Sequence, residues 1–253
     1  MSLSELIKHG LDNEKLEYIT IQSKEGIAML KPRVIVFAGT VGAGKSTQMR
    51  LTSTYLSQKG AKVRRTYLKG FHMLSYVFAW LVAKCLRGTK KHMHPLTVIH
   101  QRNQNLERKL LKLMLLLDFI EVLLLDIVKV FIPLKLGYYV LVEEYAVGYV
   151  ANHLHYRLIN PDFYDKYGSK MIKILIRILS SRPLMVFFLD APDEELRRRW
   201  KRRGSPAELN SYLNALRESL KLIKNMGVKV IYVNTDQPVP KTFRLIVKYV
   251  EQT

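Results

Sequence analysis

Cysteine occurs once in 253 residues, at Cys85, so no internal disulfide can form and the fold must be held by packing. Acidic residues are scarce as well: 21 Asp and Glu stand against 41 Lys and Arg, a formal net charge of +20. A chain this basic attracts phosphate-bearing partners of any size, yet it lacks the basic-aromatic motif that would single out nucleic acid. No Ser/Gly/Pro-rich linker, internal repeat or low-complexity tract divides it, and the opening MSLSELIKHG lacks the charged-then-apolar order of a secretory leader. A cytoplasmic protein is therefore expected, with one domain over 31–253 and an N-terminal extension at 1–30 to which no role is given.

Long apolar runs free of charge are missing too. The most apolar stretch, LLKLMLLLDFIEVLLLDIVKVFI, is broken by Lys112, Asp118, Glu121, Asp126 and Lys129, and on a helix Glu107, Asp118, Glu121 and Lys129 share one stripe. The pattern predicts a long helix buried on most of its surface, with room for a homodimer contact through apolar helices, rather than a membrane span. The apolar FHMLSYVFAWLVAKCL at 71–86 leaves attachment to a bilayer surface open. His92, His94 and His100 have no cysteine or carboxylate at ligand spacing, which speaks against a metal site there.

What is present begins with VIVFAGTVGAGKSTQM at 34–49. Val34 to Phe37 is the β-branched and aromatic run of a strand buried on both faces, and it enters a glycine loop at once. Gly39, Thr40, Val41, Gly42, Ala43, Gly44, Lys45 and Ser46 complete G-x-x-x-x-G-K-S/T, and Thr47 leads into a helix-compatible run. Glycines let successive N–H groups turn inward, and a helix N-terminus adds partial positive charge, so the loop can wrap a polyphosphate such as that of ATP. Lys45 would reach the β and γ phosphates, and the Ser46 hydroxyl would ligate Mg2+.

Further strands are read at AKVRRTYLKG (61–70), GYYVLVEEY (137–145), LMVFFLDAPDEEL (184–196) and VKVIYVNTDQP (228–238), each ending in residues able to do chemistry. Helical stretches separate them, so the fold class expected is α/β, a parallel sheet flanked by helices with ligands at the carboxyl strand ends. Glu143 and Glu144 close one strand. Two carboxylates there can serve as metal ligand and general base, with Glu143 the choice for Mg2+ and Glu144 either the base or the partner of a nearby cation. Six cations fall within the seven residues 197–203, too many for one catalytic role. Arg199 and Arg203 are placed in catalysis, no more strongly than Arg198 or Arg202.

Over roughly 32–250 this order resembles the thymidylate kinase family, within the P-loop nucleoside and nucleoside-monophosphate kinases. The glycine loop, the long helix before GYYVLVEEY, the segment FFLDAPDEELRRRWKRRGSP and NTDQP carry the resemblance. It implies the P-loop NTPase three-layer fold, transfer of the γ-phosphoryl group of ATP with magnesium, an arginine-rich lid at about 195–210, and a loop beside the adenine at Asn234, Thr235 and Asp236. The family's Asp-Arg-Tyr position is here Glu143-Glu144-Tyr145, which sets Tyr145 at the substrate, while Lys69 stands where an acidic residue is usual and Phe119 follows Asp118 where an arginine is usual. A thymidylate-type acceptor comes first by resemblance, its phosphate needing other cations such as Lys69 or Arg102. Two alternatives stand beside it: a nucleotide-dependent nucleic-acid-binding protein without acceptor chemistry, and a kinase of an uncharged or lipid-like acceptor.

Overall fold

The computed structural model describes residues 34–70, 74–86, 95–159, 169–181, 184–205, 208 and 210–252. The extension at 1–30, His92, His94 and part of the lid segment lie outside these residues. Five parallel strands form one sheet in the order β2-β3-β1-β4-β5: β1 is Val34–Gly39, β2 Val63–Leu68, β3 Tyr139–Glu144, β4 Leu184–Asp190 and β5 Val230–Asn234. The three central strands are the apolar runs, and β1 is buried at every position. The edge strand β2 instead exposes Arg64 and Arg65, whose charge discourages pairing with another chain.

Alternate residues of the sheet feed two cores. Val34, Val36 and Ala38 join Val140, Val142 and Phe188 on one face, whereas Ile35 and Phe37 join Leu141, Phe187 and Leu189 on the other. Helices cover both faces, giving three layers. In chain order they are α1 (Lys45–Gln58), α2 (Leu74–Cys85), α3 (Pro95–Arg102), α4 (Gln104–Asp126), α5 (Ile132–Lys135), α6 (Tyr145–Ile159), α7 (Ser169–Ser180), α8 (Asp193–Arg203), α9 (Asn210–Asn225) and α10 (Val239–Glu251). A small satellite core of Ala79, Ala83, Val98, Ile99, Met114 and Leu115 ties α2, α3 and α4 together.

The long helix departs from expectation in two ways. A π-helical turn at Ile127–Phe131 separates α4 from α5, directly ahead of Pro133, whose ring cannot sit against the carbonyl four residues earlier in a regular α-helix. The helix also faces the opposite way from a simple amphipathic reading. Asp118, Glu121 and Asp126 are buried, because His153 Nε2 lies 3.3 Å from Asp118, the Leu74 N–H donates to Glu121 at 2.8 Å and the Tyr145 hydroxyl donates to Asp126 at 2.8 Å. Leu113, Leu116, Ile120, Leu124, Ile127 and Phe131 are exposed instead, spaced by three or four residues along one face.

The register aligns the carboxyl ends of the strands: Phe37 pairs with Glu143, Leu68 with Glu144, Gly39 with Leu189 and Asp190 with Asn234. Gly39 can close β1 because it has no side chain; a Cβ there would lie 1.9 Å from the Leu189 carbonyl oxygen, at a φ of +130°.

Candidate active site

The loop between β1 and α1 sits at that aligned edge. The Thr40 hydroxyl donates to Asp190 at 2.8 Å, Trp200 Nε1 donates to the Val41 carbonyl at 3.0 Å, and the Ala43 N–H donates to the Thr40 carbonyl at 3.2 Å. Gly44, at φ 84°, turns the chain into α1 and supplies no side-chain cap, which leaves the helix N-terminus to whatever the loop holds. Lys45 is almost wholly buried. Its ammonium donates to the carbonyls of Gly39 at 2.9 Å and Thr40 at 3.1 Å and pairs with Glu144 at 3.0 Å.

Ser46 and Glu143 meet across the edge: the Ser46 hydroxyl lies 3.0 and 2.9 Å from the two Glu143 carboxylate oxygens. Together with Val41, Gly42, Gly44, Lys45, Thr47 and Arg203 they line a cleft of about 230 Å³. Hard oxygen donors beside a loop lysine suit Mg2+ that is shared with a polyphosphate, since Mg2+ commonly takes one or two protein ligands and keeps water or phosphate for the rest. Among the described residues no group of three His, Cys, Asp or Glu forms an all-protein metal cage.

Glu144 follows with an unusual backbone. Its φ is 72° and that of Tyr145 is 51°, two successive left-handed residues without glycine, a strained arrangement that its neighbours must hold. Gly148 makes room for the carboxylate, because a Cβ there would lie 2.8 Å from a Glu144 oxygen. Tyr145 itself turns inward: it is 1% exposed and bonded to Asp126, so the structure places it in the core rather than at a substrate. Lys69 stands one residue past the end of β2 with its ammonium 4.9 Å from the centre of the Tyr212 ring. Burial holds that ammonium below the usual lysine range, the charge of Lys45 adds to the effect, and Glu144 and Glu208 oppose it. Arg102 is exposed at the end of α3, beside the satellite core.

The arginine run forms α8, and its composition is that of a helix complementing its own dipole: Asp193, Glu194 and Glu195 occupy the first turn, Lys201, Arg202 and Arg203 the last, with Gly204 at φ 65° as the cap. Leu196 and Trp200, four residues apart, bury the inner face. Arg199 is a clamp. It donates to Glu195 at 2.7 Å, to the Gly42 carbonyl at 3.3 Å and to the Thr235 hydroxyl and carbonyl at 3.2 and 2.7 Å, joining α8, the glycine loop and the turn after β5. Arg198 pairs with Glu195 and points to solvent. Arg202 and Arg203 line a second cleft, of about 170 Å³, with Arg199, Gln48, Thr235 and Gln237; Arg203 borders both clefts.

Beyond β5, Thr235 is buried and its N–H donates to the Asp190 carbonyl at 2.8 Å, while the Asn234 side chain accepts from the Asp236 N–H at 2.9 Å and shapes the turn. Asp190, a strand-end carboxylate, is fully engaged by Thr40, Arg217 and Tyr232. It is a structural hub under the loop. Four contributors were missed from sequence: Gln48, Trp200, Arg217 and Gln237. Trp200 had left a signal, as the one apolar residue among six cations, four positions after Leu196.

No family model matches the sequence, and no curated protein does. Among solved structures, a deoxyadenosine kinase from M. mycoides with bound dATP is similar at 16% identity, covering 87% of this chain and 99% of that one with a TM-score of 0.50. The chain has a three-layer P-loop fold, a parallel sheet flanked by helices. A deoxyadenosine kinase from M. mycoides with bound dCTP is matched at 14% identity, over 87% of this chain and 100% of that one, with a TM-score of 0.48. The sheet, the glycine loop and the flanking helices correspond to the α/β architecture read from sequence. No helix among the described residues is long and apolar enough to cross a membrane.

Proposed function

We propose that this protein is an ATP- and Mg2+-dependent kinase that moves a γ-phosphoryl group to a nucleotide or nucleoside acceptor. The observation that carries this reading is the meeting of Ser46, Glu143 and Lys45 at the glycine loop, an oxygen pair at 2.9–3.0 Å beside a buried cation. Mg2+ held by Ser46 and Glu143 would neutralise charge on the phosphates. Lys45 neutralises further charge, and Arg203, bordering both clefts, can approach from the lid side. Gln48, Arg199, Thr235 and Gln237 frame the space for the donor base. Catalysis of this kind is mainly positioning and charge neutralisation, which is what these residues offer.

Thymidylate, phosphorylated to its diphosphate, is the first acceptor by resemblance, and Lys69 is the cation nearest to that task. A second reading, an uncharged acceptor, is favoured by the buried carboxylates Asp118, against Gly70 just past β2, and Glu144, at the end of β3, which disfavour a phosphate dianion. The exposed apolar face of α4 supports a homodimer contact. The test is transfer from γ-labelled ATP to a panel of nucleosides and nucleoside monophosphates. Labelled product with thymidylate supports the first reading, product with nucleosides alone supports the second, and no acceptor-dependent product in a protein that binds ATP leaves the kinase reading without support.

A further inference from the structure

Glu144 is 5% exposed at the end of a central strand, and its two carboxylate oxygens are treated unequally. One pairs with the Lys45 ammonium at 3.0 Å. The other is sealed from solvent without a hydrogen-bond partner among the described residues, against Gly148. A buried carboxylate satisfied on one side is tolerable only while its cation remains, since a buried charge left alone is costly. That cation is the loop lysine, which the proposed function directs to the phosphates of a nucleotide. Nucleotide binding would therefore strip Glu144 of its partner.

The replacement stands on the neighbouring strand. Leu68 pairs with Glu144 in the sheet, and Lys69 follows it. Its ammonium rests over the Tyr212 ring, a looser hold than a carboxylate would give. The charges of Lys69 and Glu144 already act on one another in this state. Glu144 and Tyr145 both hold a left-handed backbone, so this corner of the site is fixed by its surroundings and is sensitive to which partner the carboxylate has.

We propose that Lys45 and Glu144 form a latch that nucleotide binding opens, and that Lys69 is the positioning residue that then takes Glu144 over, tying the chain just past β2 to the end of β3 on the acceptor side. This rests on the nucleotide site proposed above. It makes one contact of the free protein a cost to nucleotide binding. It also makes Lys69 useful to a nucleotide it need not touch.

Titration calorimetry with ATP, without acceptor, tests this on the full chain, its Glu144→Gln and Lys69→Met variants and the double variant. Glu144→Gln should bind ATP about three- to tenfold more tightly, a part of the tenfold or more that a charge-assisted hydrogen bond is worth, because Lys45 no longer leaves a carboxylate. Lys69→Met should weaken binding about threefold in the natural background and by less than about twofold in the Glu144→Gln background. Weaker binding by Glu144→Gln overturns the latch. Equal weakening by Lys69→Met in both backgrounds overturns the takeover and leaves Lys69 an ordinary attractor of phosphate. Hydrogen exchange on the unmutated protein guards against a misfolded variant: ATP should bring new protection at residues 67–70, and its absence counts against the takeover. An unmutated protein that binds no ATP refutes the nucleotide site itself, and the latch with it.

Discussion

Trp200→Phe removes one hydrogen bond from the phosphate loop while keeping most of the packing, so it separates the two things the indole does. The ring is 3% exposed, its N–H donates to the Val41 carbonyl at 3.0 Å, and a Cβ on Gly42 would lie 2.8 Å from that nitrogen. The loop is thus seated on α8. Phenylalanine leaves the Val41 carbonyl without its indole donor, worth about 1–2 kcal/mol where water cannot replace it. Trp200→Ala adds a cavity between α8 and the loop and should cost about 3–5 kcal/mol, a large share of a typical stability margin. Urea unfolding gives both numbers, and ATP titration of the Phe variant should show a several-fold loss, since the carbonyl it frees lies in the loop. If Trp200→Phe unfolds and binds ATP like the unmutated protein, the hydrogen bond does not hold the loop. If it costs as much as Trp200→Ala, packing is not what the ring contributes.

Glu143→Gln should keep the fold and shift the Mg2+ dependence of turnover to higher concentration, because one anionic ligand oxygen is lost; an unchanged magnesium titration would remove Glu143 from the metal. Arg199's hydrogen bond holds the Glu195 carboxyl below its ordinary value of 4.5, so the stability it contributes is present above that value and is lost as pH falls through the lower folded one. Glu195→Gln should therefore be less stable than the unmutated protein at neutral pH, with the gap closing on acidification to about pH 3 in urea unfolding series. Peptides spanning 197–203 should gain hydrogen-exchange protection when ATP binds, as expected of a lid that tightens over the loop, and no change would leave α8 a fixed wall.

The sheet was legible because its three central strands are buried on both faces and so carry unbroken β-branched and aromatic runs; β5 kept an apolar run of its own, whereas the half-exposed edge strand β2, with Arg64 and Arg65, left only a short one. The glycine loop was legible because each residue of its pattern answers to a local demand of backbone angle or charge. What local pattern could not show is what depends on distant partners. Asp118 and Asp126 face inward because His153 and Tyr145 wait for them, and nothing near them in the chain announces it. Asp190 looked reactive as a strand-end carboxylate, yet Arg217, brought over by α9, and Thr40 from the loop saturate it. Arg199 likewise could not be told from its neighbours until the turn after β5 supplied Thr235.

The central claim, that the 39–47 loop holds a nucleotide triphosphate through Lys45, is tested most directly by titrating MgATP into the unmutated protein and into Lys45→Ala. Lys45 lies 3.0 Å from Glu144 and 2.9 Å from the Gly39 carbonyl, at the floor of the loop where the phosphates would sit. The unmutated protein should bind MgATP with saturable 1:1 heat, and Lys45→Ala, folded by circular dichroism, should lose at least about tenfold in affinity, the worth of one charge-assisted contact. Equal affinity in the two proteins would contradict the account.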